Sequence, residues 1–236
     1  MRTLRGLLLT AAALAVTFPN AAEAQQGRRF ENAWFWGLKG GGTIYQHSTV
    51  GQNGAGEIVA FDAENRHAPT IGLDWMITRT RGGLYVSYDQ GFLDETTGYI
   101  LDPLDPASPI ALVDVENSRR INLAGVVYPP VKRWFQPYAG LGISFIQIAR
   151  TETLNPAVFA DPMQQSAFET GLGEHRTQFQ PVAIVGVQGR LRPFSVFLQG
   201  TATQLSDDFL LRGGRSAVVS YELGIRYNIG SSIDRN

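Results

Sequence analysis

The sequence predicts an all-β fold: an eight-stranded antiparallel up-and-down transmembrane β-barrel with four long external loops and three short periplasmic turns. Three observations carry that expectation. Apolar residues recur at every second position in eight separate segments. Short and long connections alternate strictly between those segments. One face of the clearest segments is apolar and aromatic, while the other is small, polar and glycine-rich.

The chain has 236 residues, 44% of them hydrophobic, which is too few for a helical membrane protein. Arg2 and Arg5 give a basic start, residues 7–16 (LLLTAAALAV) an apolar centre, and Ala22-Glu23-Ala24 a small-x-small cleavage pattern. Residues 1–24 are therefore expected to be a cleavable signal peptide. The rival is a helical anchor, but ten apolar residues in a helix reach only about 15 Å, against a hydrocarbon core of about 30 Å. Residues 25–32 are expected to be a short lead, 33–229 the barrel and 230–236 a C-terminal tail. Without residues 1–24 the chain carries 18 basic and 20 acidic residues, and only Lys39 and Lys132 are lysines. That balance argues for no nucleic acid as a partner. The absence of cysteine excludes disulfides, thiolate metal sites and thiol nucleophiles.

The segments fall at about 33–46, 69–79, 82–92, 117–128, 134–149, 177–190, 193–205 and 217–229. Segments two and three meet at Thr80-Arg81, four and five around Pro129-Pro130-Val131-Lys132-Arg133, and six and seven around Arg190-Leu191-Arg192. The connections 47–68, 93–116, 150–176 and 206–216 are long and rich in Gly, Asn, Asp, Pro and Ser. A meander puts all the short turns at one end and all the long loops at the other, as in outer-membrane barrels. An even strand count leaves both termini at the periplasmic end.

A soluble barrel would carry apolar side chains inward, whereas a membrane barrel does the reverse. Segment eight separates Ala217, Val219, Tyr221, Leu223, Ile225, Tyr227 and Ile229 from Val218, Ser220, Glu222, Gly224, Arg226 and Asn228. Segment five repeats the pattern, with Phe135, Ala139, Leu141, Ile143 and Phe145 against Gln136, Tyr138, Gly140, Gly142 and Ser144. A solvent-facing surface would instead be thick with lysine and glutamate, so the apolar phase is assigned to lipid. The same phasing sends Lys39, Asp74, Asp89, Arg120, Glu222 and Arg226 inside, three cations and three anions. An Arg or Lys facing lipid at the midplane would cost about 2–4 kcal/mol. Buried charges persist only when paired, so a neutral interior network is expected. Which residue meets which stays open from the sequence. Aromatics sort into two girdles: Trp36, Phe135, Phe194 and Tyr227 at the periplasmic end, and Tyr88, Phe145, Phe179 and Tyr221 at the external end.

Through the Ala22-Glu23-Ala24 signal end, the Trp34-Phe35-Trp36-Gly37 opening strand and the closing strand from Tyr221 to Ile229 (YELGIRYNI), the chain resembles the small eight-stranded outer-membrane barrels of the OmpA/OmpX type. The likeness covers about 33–229. It implies a monomer in the outer membrane, with lipopolysaccharide and lipids as surroundings. It also implies recognition by the barrel-insertion machinery through the C-terminal strand. The seven residues after Ile229 depart from the family's usual terminal aromatic.

Chemistry is sparse. By resemblance, lipid-modifying barrels use His and Ser near the rim, and His47, His67 and His175 all fall in the long connections or at their edges. Neighbouring His47-Ser48 point to opposite faces of an extended strand, and near His175 stand only Glu169, Glu174 and Thr177, with nothing that marks an oxyanion hole. The acids Asp94, Glu95, Asp102, Asp105, Asp114 and Glu116 lack the spacing of a calcium loop. Gly40-Gly41-Gly42 precedes no phosphate-binding Lys-Ser or helix. No cofactor, metal or catalytic activity is predicted. The expected role is structural or surface interaction through the external loops. The alternatives are a narrow pore, with Gly140, Gly142, Gly186 and Gly224 leaving cavities, and a lipid-modifying enzyme.

Overall fold

The computed structural model describes residues 32–52, 58–102, 105, 107–129, 135–191, 193–205 and 217–231; the side chains at 46–52 and 58–64 are not described. The expected signal peptide, nearly all of the lead, residues 232–236 of the tail, the turn residues 130–134 and 192, the connection 206–216 and the His47 side chain therefore lie outside the described residues. No helix among the described residues is long and apolar enough to cross a membrane.

Eight strands close a barrel in chain order, each antiparallel to its neighbours. They are β1 (Ala33–Gln52), β2 (Ile58–Thr78), β3 (Gly82–Ile100), β4 (Ile110–Val127), β5 (Phe135–Thr153), β6 (Thr177–Leu191), β7 (Phe194–Gln204) and β8 (Ala217–Ser231). Paired residues trace one turn around the wall: Trp34, Ile77, Leu84, Gly125, Leu141, Ala183, Ala202, Val219 and back to Ile44. The path returns ten residues further along β1, from Trp34 to Ile44. With a strand rise of about 3.3 Å and a spacing of about 4.8 Å, that stagger gives a tilt of about 40° and a radius of about 8 Å. Such a bore is filled by side chains.

The same path is outward-facing and apolar throughout. Leu141 is 75% exposed, and Leu38, Ile143, Leu198, Leu223 and Ile225 are exposed beside it. The predicted girdle residues Trp36, Phe135, Tyr88, Phe179 and Tyr221 are exposed, and Phe194, Tyr227 and Phe145 are half-buried on the same face. The tilt places the two sets roughly 20 Å apart along the axis, close to the ~25 Å apolar band of a membrane barrel. Trp34 and Trp75 join the set at the turn end, their rings 5.6 Å apart. Both were absent from the sequence-based girdle.

The long connections are corrected in kind. Much of 47–68 and 93–116 is strand, because β1 and β2 stay paired to Gln52↔Ile58, and β3 and β4 to Ile100↔Ile110, whereas 150–176 is strand only as far as Thr153. Turn-forming residues mark only the hairpin tips, while the flanking residues keep their ladder hydrogen bonds. Val113, Val115, Leu93 and Ile148 pack together there, so these segments bury apolar surface of their own. A bulge sets Phe92 and Leu93 against Asn117, whose φ of 53° an asparagine tolerates. The connection 150–176 also contains a turn of 3-10 helix, Pro156–Val158, and a helix α1, Pro162–Glu174. Asp161 caps α1 by accepting from the Gln164 N–H at 2.7 Å, with Pro162 opening the first turn. The helix went unpredicted because its faces barely differ in polarity; Asp161-Pro162 was the available signal. Leu172 of α1 is buried in the apolar cluster at the hairpin end of the barrel, and Phe168 packs against that cluster.

Candidate functional site: the interior charge network

All six charged residues assigned to the interior are buried inside the barrel. The structure brings four of them into one cluster. Lys39 Nζ lies 2.7 Å from both Asp89 Oδ1 and Glu222 Oε2 and donates to the Tyr85 hydroxyl at 3.1 Å. Arg120 donates to Glu222 Oε1 at 2.9 Å, to Ser220 Oγ at 2.6 Å and to Asp89 Oδ2 at 3.4 Å. Each anion thus bridges two cations. Nearer the turn end, Arg226 donates through Nε and Nη2 to Asp74 Oδ2, at 2.9 and 2.6 Å. Its guanidinium stacks on the Phe197 ring at 3.7 Å and donates to Gln188 at 2.9 Å.

Neutral side chains that the sequence reading left out join the two groups. Gln199 donates to Glu222 at 3.0 Å and to Tyr85 at 2.9 Å, and accepts from Tyr138 at 2.8 Å. Asn122 donates to Ser87 and Asp89 at 3.0 and 3.2 Å. These belong with the network because their strand phase is interior, and that phase was legible. Their partners were not, because contacts such as Lys39 to Glu222 span 183 residues and depend on barrel closure.

The interior is not uniformly small and polar, as the sequence suggested. Phe35, Met76, Tyr85, Tyr128, Tyr138, Val182 and Ile184 form a buried apolar cluster reaching toward the turn end. The glycines expected to leave cavities instead admit rings or backbone. A Cβ on Gly186 would strike the Tyr138 ring, and one on Gly224 the Phe197 ring; at Gly142 and Gly140 the obstacles include Leu123 and Gly125 carbonyl oxygens. Small beside large is how a narrow bore fills. Between the charged layer and the apolar cluster at the hairpin end is a cavity of about 30 Å3, whose lining includes Thr70, Asp89, Ser118 and Arg120. That is room for a water or two, and among the described residues the Thr70 hydroxyl has no hydrogen-bond partner to compete for it.

At the hairpin end, β2 and β3 part above the Thr70↔Gly91 pair. Glu95 links them by side chains, accepting from the Tyr45 hydroxyl at 2.6 Å and from Arg66 at 2.7 Å. Burial and then the Glu95 carboxylate push the Tyr45 phenol well above its ordinary range, so it remains a donor. The remaining candidates do not assemble. His67 is exposed with its ring near Tyr221, and His175 is exposed where α1 ends. Asp94 lies opposite Glu116 in the strand pairing, and no group of three metal-ligating side chains occurs among the described residues.

No protein-family model matches the chain, and no curated protein matches it. Among solved structures it is similar to neisserial surface protein A, at 7% identity over 83% of this chain and 97% of that one, with a TM-score of 0.46. It is likewise similar to the outer membrane protein OprG of Pseudomonas aeruginosa: 12% identity, 85% and 98% coverage, TM-score 0.44. A third similarity is to Ail, the attachment invasion locus protein of Yersinia pestis: 12% identity, 84% and 99% coverage, TM-score 0.41. Likeness at this level reaches no further than the barrel.

Proposed function

We propose that this chain is an outer-membrane barrel that does not conduct: a membrane anchor holding its long hairpins and α1 outside the cell for surface or lipopolysaccharide contact. The observation that carries the reading is a wall turned inside out relative to a soluble protein. Apolar side chains cover the outside between two aromatic bands, and six ionised groups lie within. In water that arrangement would expose a continuous apolar belt, far beyond the few hundred Å2 a soluble monomer tolerates; in a bilayer it is the stable one. The occluded bore argues for an anchor over a pore, since a three-cation, three-anion layer lies beside tightly packed rings. His67 and His175, exposed and unassembled, give no support to a lipid-modifying enzyme. In this reading the barrel is a monomer, inserted by the assembly machinery through its last strand.

The test is refolding of residues 25–236 into phosphatidylcholine vesicles. Boiled and unboiled samples should migrate differently in electrophoresis, and planar bilayers should show no steady conductance. A soluble β-protein without amphiphile would overturn the membrane reading. A steady open level would overturn the anchor and favour the pore.

A further inference from the structure

On the lipid-facing wall, four neighbouring strands carry a row of paired polar residues: Gln90 on β3, Arg119 on β4, Gln147 on β5 and Thr177 on β6. Two residues closer to the turn end, the same four strands pair Tyr88, Ile121, Phe145 and Phe179. The lower row is the aromatic band itself, with Phe145 and Phe179 rings 4.7 Å apart and Phe179 70% exposed. The wall therefore changes from apolar to polar within one step of the ladder, along a line four strands wide. That line marks where hydrocarbon gives way to lipid headgroups.

Arg119 is the one charge in this row, and it is exposed. Unlike Lys39, Arg120 and Arg226, it has no ion pair or hydrogen-bonding side chain among the described residues. Of its row neighbours, Gln90 accepts from Tyr88 at 3.4 Å and donates to the Gly91 carbonyl at 3.4 Å. No carboxylate belongs to the row; Asp89, next to Gln90 on β3, points into the bore, Asp94 and Glu116 lie beyond the bulge at Asn117, and Arg150 engages Glu116 at 3.6 Å. A lone guanidinium flanked by two amides and a hydroxyl, with hydrocarbon directly beneath, is matched by a tetrahedral oxyanion on a lipid. Guanidinium holds phosphate through parallel N–H donors.

We infer that the row Gln90–Arg119–Gln147–Thr177 seats a phosphate of an outer-leaflet glycolipid, with its acyl chains against Tyr88, Ile121, Phe145 and Phe179. The inference rests on the outer-membrane reading and names the lipid contact within it. Phosphate on a glycolipid is chosen over a phosphodiester lipid because a terminal monoester offers three free oxygens, enough for the guanidinium and the flanking donors together.

The test is native mass spectrometry of the barrel refolded in detergent and titrated with purified bis-phosphorylated lipid A, the same lipid dephosphorylated, and phosphatidylglycerol. The wild type should retain the phosphorylated lipid, and Arg119→Gln should weaken retention by about tenfold. Arg119→Lys should fall between them, and Arg150→Gln should match the wild type. Heat-modifiability of each variant separates loss of the site from loss of the barrel: if none inserts, the membrane reading fails first. If all insert and Arg119→Gln retains the lipid as the wild type does, the site is refuted. Equal retention of the dephosphorylated lipid refutes phosphate as the handle, and equal retention of phosphatidylglycerol refutes the glycolipid.

Discussion

Glu222 accepts from Lys39, Arg120 and Gln199 within 3.0 Å and is fully enclosed. Replacing it with glutamine keeps volume and shape, so no cavity is made and the effect isolates charge. The substitution leaves three cations against two anions and turns an amide N–H2 toward Lys39 or Arg120. At an effective dielectric constant of about 20, unit charges separated by the observed 2.7 and 2.9 Å attract by about 6 kcal/mol per pair. Desolvation of the ions offsets much of that, and removal of one member of a buried network leaves a net cost of about 3–5 kcal/mol. Urea titration of the refolded protein in phosphatidylcholine vesicles, followed by tryptophan fluorescence, measures it. Adding Lys39→Met restores two cations against two anions. The double variant should then lose less than the sum of the single losses, with a coupling of about 2 kcal/mol or more. A loss below about 1 kcal/mol for Glu222→Gln, or strict additivity, would refute the claim that the layer is held by mutual charge compensation.

Gly224→Ala should destabilise by about 1–3 kcal/mol in the same titration, because its Cβ would meet the Leu38 carbonyl and the Phe197 ring that supports Arg226. Asp161→Ala removes the α1 cap at about 1 kcal/mol. Amide hydrogen exchange should quicken across 162–174 while the urea midpoint stays put; an unchanged exchange rate would mean that Leu172 docking alone holds the helix. The Tyr45 phenol is raised in the folded state, so its link to Glu95 contributes fully below about pH 10 and is lost only as pH climbs through the folded value. Tyr45→Phe should therefore raise exchange at 65–70 above the wild type by the same factor at every pH up to about 10.

Alternation by two made the strands and their faces legible, because each strand turns an apolar face outward and packs the other face into the bore. Val219, Leu223 and Ile225 stand out from Ser220, Glu222 and Arg226 without any structure. Two things escaped it. Beyond the aromatic band at the hairpin end the outer face loses its apolar label, so the pairing of Asp94 with Glu116 and Thr96 with Asp114 reads as loop although it is ladder. Inside the bore, a large residue is accommodated by what sits across the strand. Tyr138 above Gly186 and Phe197 above Gly224 look like a ring and a gap in the sequence and are one filled layer in space.

The unresolved pairing inside the barrel has a sequence-level cause that becomes visible once the register is known. Gly37, Lys39 and Gly41 on β1 stand opposite Arg226, Gly224 and Glu222 on β8. Across β1 and β2 the same rule sets Gly37 against Asp74 and Lys39 against Gly72, and Gly72 also lies opposite Asp89. Each of these long charged side chains faces a neighbour that has none, and crosses that space to reach its counter-ion. A Cβ at Gly37 would collide with Asp74 and with Arg226 Cγ, and one at Gly72 with Asp89 and Lys39 Cε. A slip of two residues between β1 and β8 would keep every side chain on its own face, so the lipid-facing pattern alone does not forbid it. In one direction that slip puts Lys39 beside Arg226, a like-charge pair in a desolvated bore; in the other it sets Gly37 against Gly224, two residues with no side chain to fill the bore, and moves Arg226 beside the Phe35 ring. The apolar stripe thus chooses the face, and the interleaving of glycine with charge chooses the register, which fixes the ten-residue stagger and with it the width of the bore.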